Sequence, residues 1–376
     1  MSPELRLFVL AGEPSGDRIG ADLVNRLRER VAVDVSGVGG DALAAVGIKS
    51  LFDMNELSVM GWADVLPRLP KLLWRARQVA KAIVRTRPDV VVLVDAQVFS
   101  SIVAKQVCKA APDIPVLLCV APAVWAWKPE RAQHLKPHFR EVMAVLPFEP
   151  AFMRSVDGPE THYVGHPAAS ALAFRSAVPE RGPMLLLPGS RDGELRRHLP
   201  MMRAVVENLA SHPRISGFVL PTPRRLEATV KERVTDWPAK VEVITGEERK
   251  AAAMASAVVA VAATGTVTLE LALAGVPMVT TYVADKGQAR LWVRFKVKYA
   301  SLPNILLDRP LVPEILQLEP DADALVSAVR SHLDDGEGLA QFEGFKTIRK
   351  MMEDGTDEDP RVNPAERVLH HWHDAP

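Results

Sequence analysis

Four short clusters in this sequence carry side chains that can do chemistry. In the first, Thr264, Gly265 and Thr266 follow an apolar run over residues 257–263, and a helix pattern through Leu269, Ala272 and Leu273 comes next. A strand, a small-residue turn and a helix N-terminus in that order point free backbone N–H groups and a positive dipole end at one spot. The hydroxyls of Thr264, Thr266 and Thr268 add donors. Glu270, four residues after Thr266, shares the face of the first turn. A carboxylate there repels a phosphate held at the turn and suits hydroxyls attached to that phosphate, such as a ribose diol. The stretch therefore outlines a nucleotide-diphosphate site; an ordinary strand-helix corner with a solvated glutamate fits it equally well.

The second cluster is M-L-L-L-P-G-S-R, in which Arg191 offers a bidentate clamp to phosphate beside the N–H groups of Gly189 and Ser190. The third, A-G-E-P-S-G-D, places Glu13, Ser15 and Asp17 after the first apolar run. It is not G-x-G-x-x-G, and a binding loop and a polar structural turn both remain open there. The fourth is Asp95, at the end of P-D-V-V-V-L-V-D-A. A continuous apolar run reads as a central parallel strand, and open α/β sheets place ligands and catalytic groups at its carboxyl end. An N-cap for the following helix is the alternative for Asp95.

These clusters need rigid supports, and the pattern supplies two successive sets. Strands are expected over residues 33–38, 88–96, 115–120 and 141–146 in the first half and at 184–187, 217–221, 241–245, 257–263 and 276–282 in the second, with helical patterns between them. Each half opens with a strand and a polar Gly turn. The fold class expected is α/β, two Rossmann-like lobes facing a cleft. The boundaries expected are 1–170, 171–345 and a helical tail, 346–376, able to pack back on the first lobe. A chain of 376 residues supports two such cores. Lys+Arg and Asp+Glu both number 46, so nothing global attracts nucleic acid, and no such partner is expected. No apolar run reaches the ~18 residues of a membrane span, and the start does not read as a secretion signal, so a cytoplasmic protein is expected. Cys108 and Cys119 read as buried thiols, and the H-H-W-H near the end as a solvated terminus rather than a metal site.

Two further segments stand out. Residues 51–74 crowd Leu57, Trp62, Leu66, Leu69 and Trp74 together, interrupted by Pro67 and Pro70, with Arg68, Lys71 and Arg75 interleaved. Such a stretch can lie at a lipid interface or line an acyl-chain pocket, or form a buried helix pair with snorkelled arginines. The pattern alone favours the buried pair. R-L-W-V-R-F-K-V-K-Y, ending at Tyr299, suits a membrane interface or a surface helix face, and Asn304 falls in a proline-bounded loop.

Taken together, A-G-E-P-S-G-D, L-F-D-M-N-E-L-S-V-M-G, V-W-A-W, L-P-F-E-P, V-G-H-P, L-P-G-S-R, T-G-T-V-T-L-E and S-L-P-N-I-L run in one order from the first strand to about Gln317. In these motifs the chain resembles the lipid-A-disaccharide synthases. The resemblance implies the GT-B glycosyltransferase architecture, with an acceptor-binding first lobe and a UDP-binding second lobe. It implies transfer of 2,3-diacylglucosamine from UDP-2,3-diacylglucosamine to 2,3-diacylglucosamine 1-phosphate through a β-1,6 linkage. The catalysis it implies is inverting, with no metal and no cofactor. It carries the family's catalytic aspartate onto Asp95 and its arginine, asparagine and helix glutamate onto Arg191, Asn304 and Glu270. It favours the lipid-facing reading of residues 57–74 and 290–299, with peripheral association at the cytoplasmic face of the inner membrane, and leaves room for a homodimer. Where the family reads D-A-P-D-F this chain has D-A-Q-V-F, with Gln97 and Val98, and A-P-A-V-W stands for S-P-S-V-W. These departures allow a paralogue of altered acceptor choice, or one that binds without turnover. A UDP-sugar epimerase is the rival on the same fold.

Overall fold

The computed structural model describes residues 4–57, 62–284 and 298–373, the side chains of 62–68 excepted. The chain forms two compact units, Met1–His166 with Asp354–Pro376, and Pro167–Glu353.

In the first unit β1 (Leu5–Ala11), β2 (Val33–Val38), β3 (Val90–Val94), β4 (Val116–Cys119), β5 (Glu141–Ala144) and β6 (Thr161–Tyr163) make a parallel sheet in the order β2-β1-β3-β4-β5-β6. Every residue of β3 is buried because both faces are covered. Alternation along β1 and β3 divides their side chains between two cores. Phe8, Leu10, Val91 and Leu93 pack with Val79 and Ile83 of α3 (Trp62–Thr86) and Val103 and Val107 of α4 (Gln97–Ala110). Leu7, Val9, Val90, Val92 and Val94 pack with Leu23, Val24 and Leu27 of α1 (Pro14–Arg28) and with Ala365 and Val368 of the Pro364–His373 helix.

Two shorter helices, α2 (Asp41–Ala45) and α5 (Glu149–Ser155), belong to the first unit, and the second repeats the plan with α6 (Pro167–Ala171) and α8 (Glu227–Val234) among its helices. β7 (Gly182–Leu187), β8 (Ile215–Pro221), β9 (Val241–Ile244), β10 (Val259–Ala263), β11 (Met278–Val283) and β12 (Glu314–Gln317) are parallel in the order β12-β11-β10-β7-β8-β9. In each sheet the strand order reverses beside the first strand, between β1 and β3 and between β7 and β10. A crevice at the carboxyl ends is the geometric consequence, since the loops there leave in opposite directions.

Three local expectations differ from the structure. Asn304 lies in a helix, Leu302–Leu307, whose Pro303 occupies a first-turn position that needs no donor. The same region supplies β12, whose short E-I-L-Q run carries too little apolar signal to read as a strand. A single helix, α3, runs through Pro67 and Pro70. Three residues apart, the two prolines strip donors from one face and leave the rest of the ladder. The segment expected over 290–299 lies outside the described residues except at Lys298 and Tyr299.

Candidate functional site

The second unit gathers its polar groups where β7 and β10 end side by side, Leu187 opposite Ala262. α10 (Thr266–Leu273) begins there with Gly265 at its N-cap. The first-turn amides of a helix have no intrahelical acceptor. Gly265 and Thr266 are exposed, and the space beside Gly265 is open. Thr264 is turned the other way: its amide donates to the Thr281 carbonyl at 3.2 Å. Thr268 is buried, its hydroxyl donating to the Gly265 carbonyl at 2.8 Å and accepting from the Leu302 amide at 3.3 Å. Glu270 is half-buried, and Lys250 Nζ lies 2.5 Å from its Oε2.

The turn after β7 is occupied from within. Glu194 Oε2 accepts from the amides of Ser190 at 2.9 Å and Arg191 at 3.2 Å, and Glu194 Oε1 accepts from Arg191 Nη1 at 3.1 Å. Glu194, at the third position of α7 (Asp192–Leu209), thus reaches back to the N-cap amide as the acidic half of a capping box. Gly189 makes it possible. Its φ is +104°, and a Cβ there would stand 2.3 Å from Glu194 Oε2. The Ser190 amide expected to hold phosphate holds a carboxylate instead. The Arg191 side chain remains largely exposed, and Arg225 braces the same turn through the Ser190 carbonyl at 2.5 Å. Beneath it the buried His198 accepts from the Val283 amide at 3.1 Å through Nε2, so Nδ1 donates to the Pro188 carbonyl at 2.7 Å. Burial pushes its pKa down, against the pull of that carbonyl.

Asn304 faces inward. Its amide donates to the Val312 carbonyl and Glu314 Oε1, both at 2.8 Å, and accepts from the Val312 amide at 2.8 Å. Glu314 also takes the Ser301 hydroxyl at 2.6 Å, so the S-L-P-N turn is tied to the start of β12.

In the first unit Asp95 stands at the end of β3, half-buried, its amide donating to the Cys119 carbonyl at 2.9 Å. Asp95 and Ala96 are both left-handed, with φ of +54° and +46°, and Val120 at the end of β4 has φ +75°. Three non-glycine residues in this sparse region concentrate strain at the carboxyl ends of two interior strands, each costing of order 1–3 kcal/mol. Burial raises the Asp95 pKa, opposed by the Ala96 N–H. Gly12 touches this corner: a Cβ on it would lie 2.5 Å from the Ala96 Cβ. Glu13, the N-cap of α1, and Ser15, in its first turn, are exposed, and between them and the sheet a Cβ on Gly16 would lie 3.7 Å from the Asp95 Cβ. Asp17 is structural. Its carboxylate accepts from the amides of Gly40, Ala42 and Leu43 at 2.7, 2.8 and 3.2 Å.

Sequence reasoning missed Glu149. The residue is 2% exposed at the carboxyl end of β5, accepting from Trp125 Nε1 at 3.2 Å and from the Leu146 amide at 3.0 Å. Trp125 stacks edge-on against Phe148 at 5.2 Å. Burial outweighs these donors and pushes the Glu149 pKa up to about 7. Burial also brings the His166 imidazole down to about 4. The apolar run before L-P-F-E-P was the available signal, since it delivers that glutamate to the end of a central strand. Lys250 was missed as well, and nothing local marks it.

Among the described residues one group, Glu141, Glu160 and His162, has a metal-binding composition. It lies at the opposite, amino end of β5. Arg367 contacts both oxygens of Glu141 at 2.7–3.1 Å and His371 Nε2 lies at 2.8 Å, so the carboxylate is already matched by cationic and polar partners. No helix among the described residues is long and apolar enough to cross a membrane.

A sequence profile described as lipid-A-disaccharide synthetase matches residues 7–358. The lipid-A-disaccharide synthase of Rhodopseudomonas palustris (strain BisB18) is 40% identical over 378 residues, covering 97% of this chain and 95% of that one. Among solved structures, the glycotransferase of kitacinnamycin superposes with a TM-score of 0.62 at 16% identity, covering 98% of each chain. The UDP-GlcNAc 2-epimerase of Neisseria meningitidis bound to UDP-GlcNAc does so with 0.59 at 12% identity, covering 93% of this chain and 99% of that one. Such distant likenesses speak for the GT-B fold alone.

Proposed function

We propose a reaction from one premise: this chain belongs to the lipid-A-disaccharide synthetase family. It is a glycosyltransferase of lipid A biosynthesis. It moves 2,3-diacylglucosamine from UDP to the 6-hydroxyl of 2,3-diacylglucosamine 1-phosphate. The 6-oxygen attacks the anomeric carbon as the bond to the diphosphate breaks, and the electron pair leaves with UDP. The displacement inverts the anomeric centre, giving the β-1,6 disaccharide.

Asp95 takes the hydroxyl proton. The observation that carries this role is its position: a half-buried carboxylate on a strained turn at the carboxyl end of β3, beside the strand-order reversal. In the second unit, charge on the departing UDP meets Arg191 and the first-turn amides of α10. Glu270 accepts from the ribose hydroxyls, and Glu13 and Ser15 line the acceptor side. The acylated substrates hold the protein at the cytoplasmic face of the inner membrane. Exposed Leu69 and Trp74 on α3 support that placement.

The test is Asp95→Ala with both acylated substrates, read by mass for disaccharide and UDP. Loss of product with UDP affinity kept is expected; near-normal turnover in a folded variant removes Asp95 as the base. Because burial raises the Asp95 pKa, turnover on the acid side falls at a pH above the ordinary aspartate range. Wild-type protein that binds UDP tightly and forms no product is instead the non-catalytic paralogue that Gln97 and the exposed Val98 would allow.

A further inference from the structure

Glu270 poses an electrostatic problem. It sits in the second turn of α10, whose first turn is the diphosphate end of the proposed donor site, and two like charges so close repel. The structure holds the answer on another helix. α9 (Glu247–Ser256) starts just beyond the end of β9, and Lys250 in its first turn reaches Glu270 Oε2 at 2.5 Å. The same Nζ lies 3.5 Å from Glu247 Oε2. The Lys250 and Glu270 side chains are 21% and 23% exposed, so the pair is partly desolvated yet open at one side. Twenty residues separate the partners in sequence, so this is a tertiary contact that pins the Glu270 rotamer. Among the described residues Glu270 Oε1 receives no hydrogen bond.

We propose that Lys250 is the positioning residue for nucleotide recognition. It cancels the charge that would repel the diphosphate, and it fixes Glu270 with one carboxylate oxygen turned to the ribose diol. Lys250 acts through Glu270 without touching the nucleotide. The selectivity that follows is for ribonucleoside over 2′-deoxyribonucleoside diphosphates, because only the former presents the diol to the oriented carboxylate. This inference rests on the reading of Glu270 as the ribose acceptor.

The experiment is calorimetric titration of the full chain with UDP and with 2′-deoxy-UDP, for wild type, Lys250→Met, Lys250→Arg and Glu270→Gln. Wild type should prefer UDP by roughly tenfold, the worth of one charge-assisted hydrogen bond. Lys250→Met should weaken both ligands, UDP by about tenfold more than 2′-deoxy-UDP, and so bring the two affinities together, while Lys250→Arg, which keeps the charge, stays within roughly threefold of wild type. A purely structural lysine would lower the melting temperature and leave the preference intact, and that outcome overturns the proposal. If Glu270→Gln retains the preference, or wild type has none, the underlying ribose reading fails instead. Should Lys250→Met not fold, Lys250→Gln is read in the same way.

Discussion

Replacing Glu149 by Gln should change how stability depends on pH. The folded pKa of Glu149 is about 7 against an ordinary 4.5, and burial is the cause. A carboxyl with a raised folded pKa is equally protonated in both states at low pH. As pH rises past 4.5 the unfolded chain ionises first and gains, so the folded state loses ground until the folded group also ionises near 7. The gap corresponds to about 3 kcal/mol, of which about 2.5 kcal/mol develops between pH ~5 and ~8. Glutamine cannot ionise and carries no such penalty. It presents one acceptor where Trp125 and Leu146 offer two donors, a cost of about 1–3 kcal/mol that does not vary with pH. Urea unfolding of both proteins, followed by tryptophan fluorescence, isolates the effect as a difference. Half-buried His166 and buried His198, which charge in the unfolded chain below about 6.5, are common to both and cancel. Glu141, held low by His162, His371 and Arg367 against the effect of burial, acts only below its ordinary 4.5. Glu149→Gln should therefore gain on wild type by about 2.5 kcal/mol from pH ~5 to ~8. A flat difference over that range would refute the reasoning, because it would mean the buried carboxyl ionises as though in water.

Two further outcomes follow from close contacts at the strand ends. Gly12→Ala places a methyl 2.5 Å from the Ala96 Cβ, about 1 Å inside normal carbon contact. It should cost about 1–3 kcal/mol in thermal unfolding and, by moving Asp95, lower kcat by about a hundredfold; normal turnover in this variant would separate the loop from the chemistry. Glu194→Ala removes the acceptor shared by two amides and Arg191, and should cost about 1–2 kcal/mol of stability. It should also weaken UDP binding, measured by titration, as the Arg191 side chain loses its brace; tighter binding would show that the carboxylate competes with the ligand.

The sheets were legible because parallel strands covered on both faces must be written as unbroken apolar runs, as in V-V-V-L-V and V-A-V-A-A. Their carboxyl ends were legible for the same reason, which is how Asp95 and residues 264–266 stood out. The side-chain roles beside them were not. Asp17 and Ser15 look alike in A-G-E-P-S-G-D, yet only the fold brings the Gly40, Ala42 and Leu43 amides to Asp17. Glu194 reads as one more acid on a charged helix until the positive φ of Gly189 bends the turn over it. Asn304 reads as a loop residue because prolines flank it, but Pro303 begins a helix and the amide turns inward. Lys250 and Glu149 depend on contacts between separate elements, and no local spacing encodes those.

The Pro364–His373 helix belongs to the first unit although the whole second unit is translated before it. During synthesis the nascent first sheet carries Glu141, fully buried in the finished protein, before Arg367 and His371 exist to meet its charge. One of its two cores likewise lacks Ala365 and Val368. The second unit, continuous in sequence, can complete itself in that interval. A nested order of assembly follows, in which the first unit to leave the ribosome is the last to close, and a chain cut short after the second unit leaves that charge without its arginine.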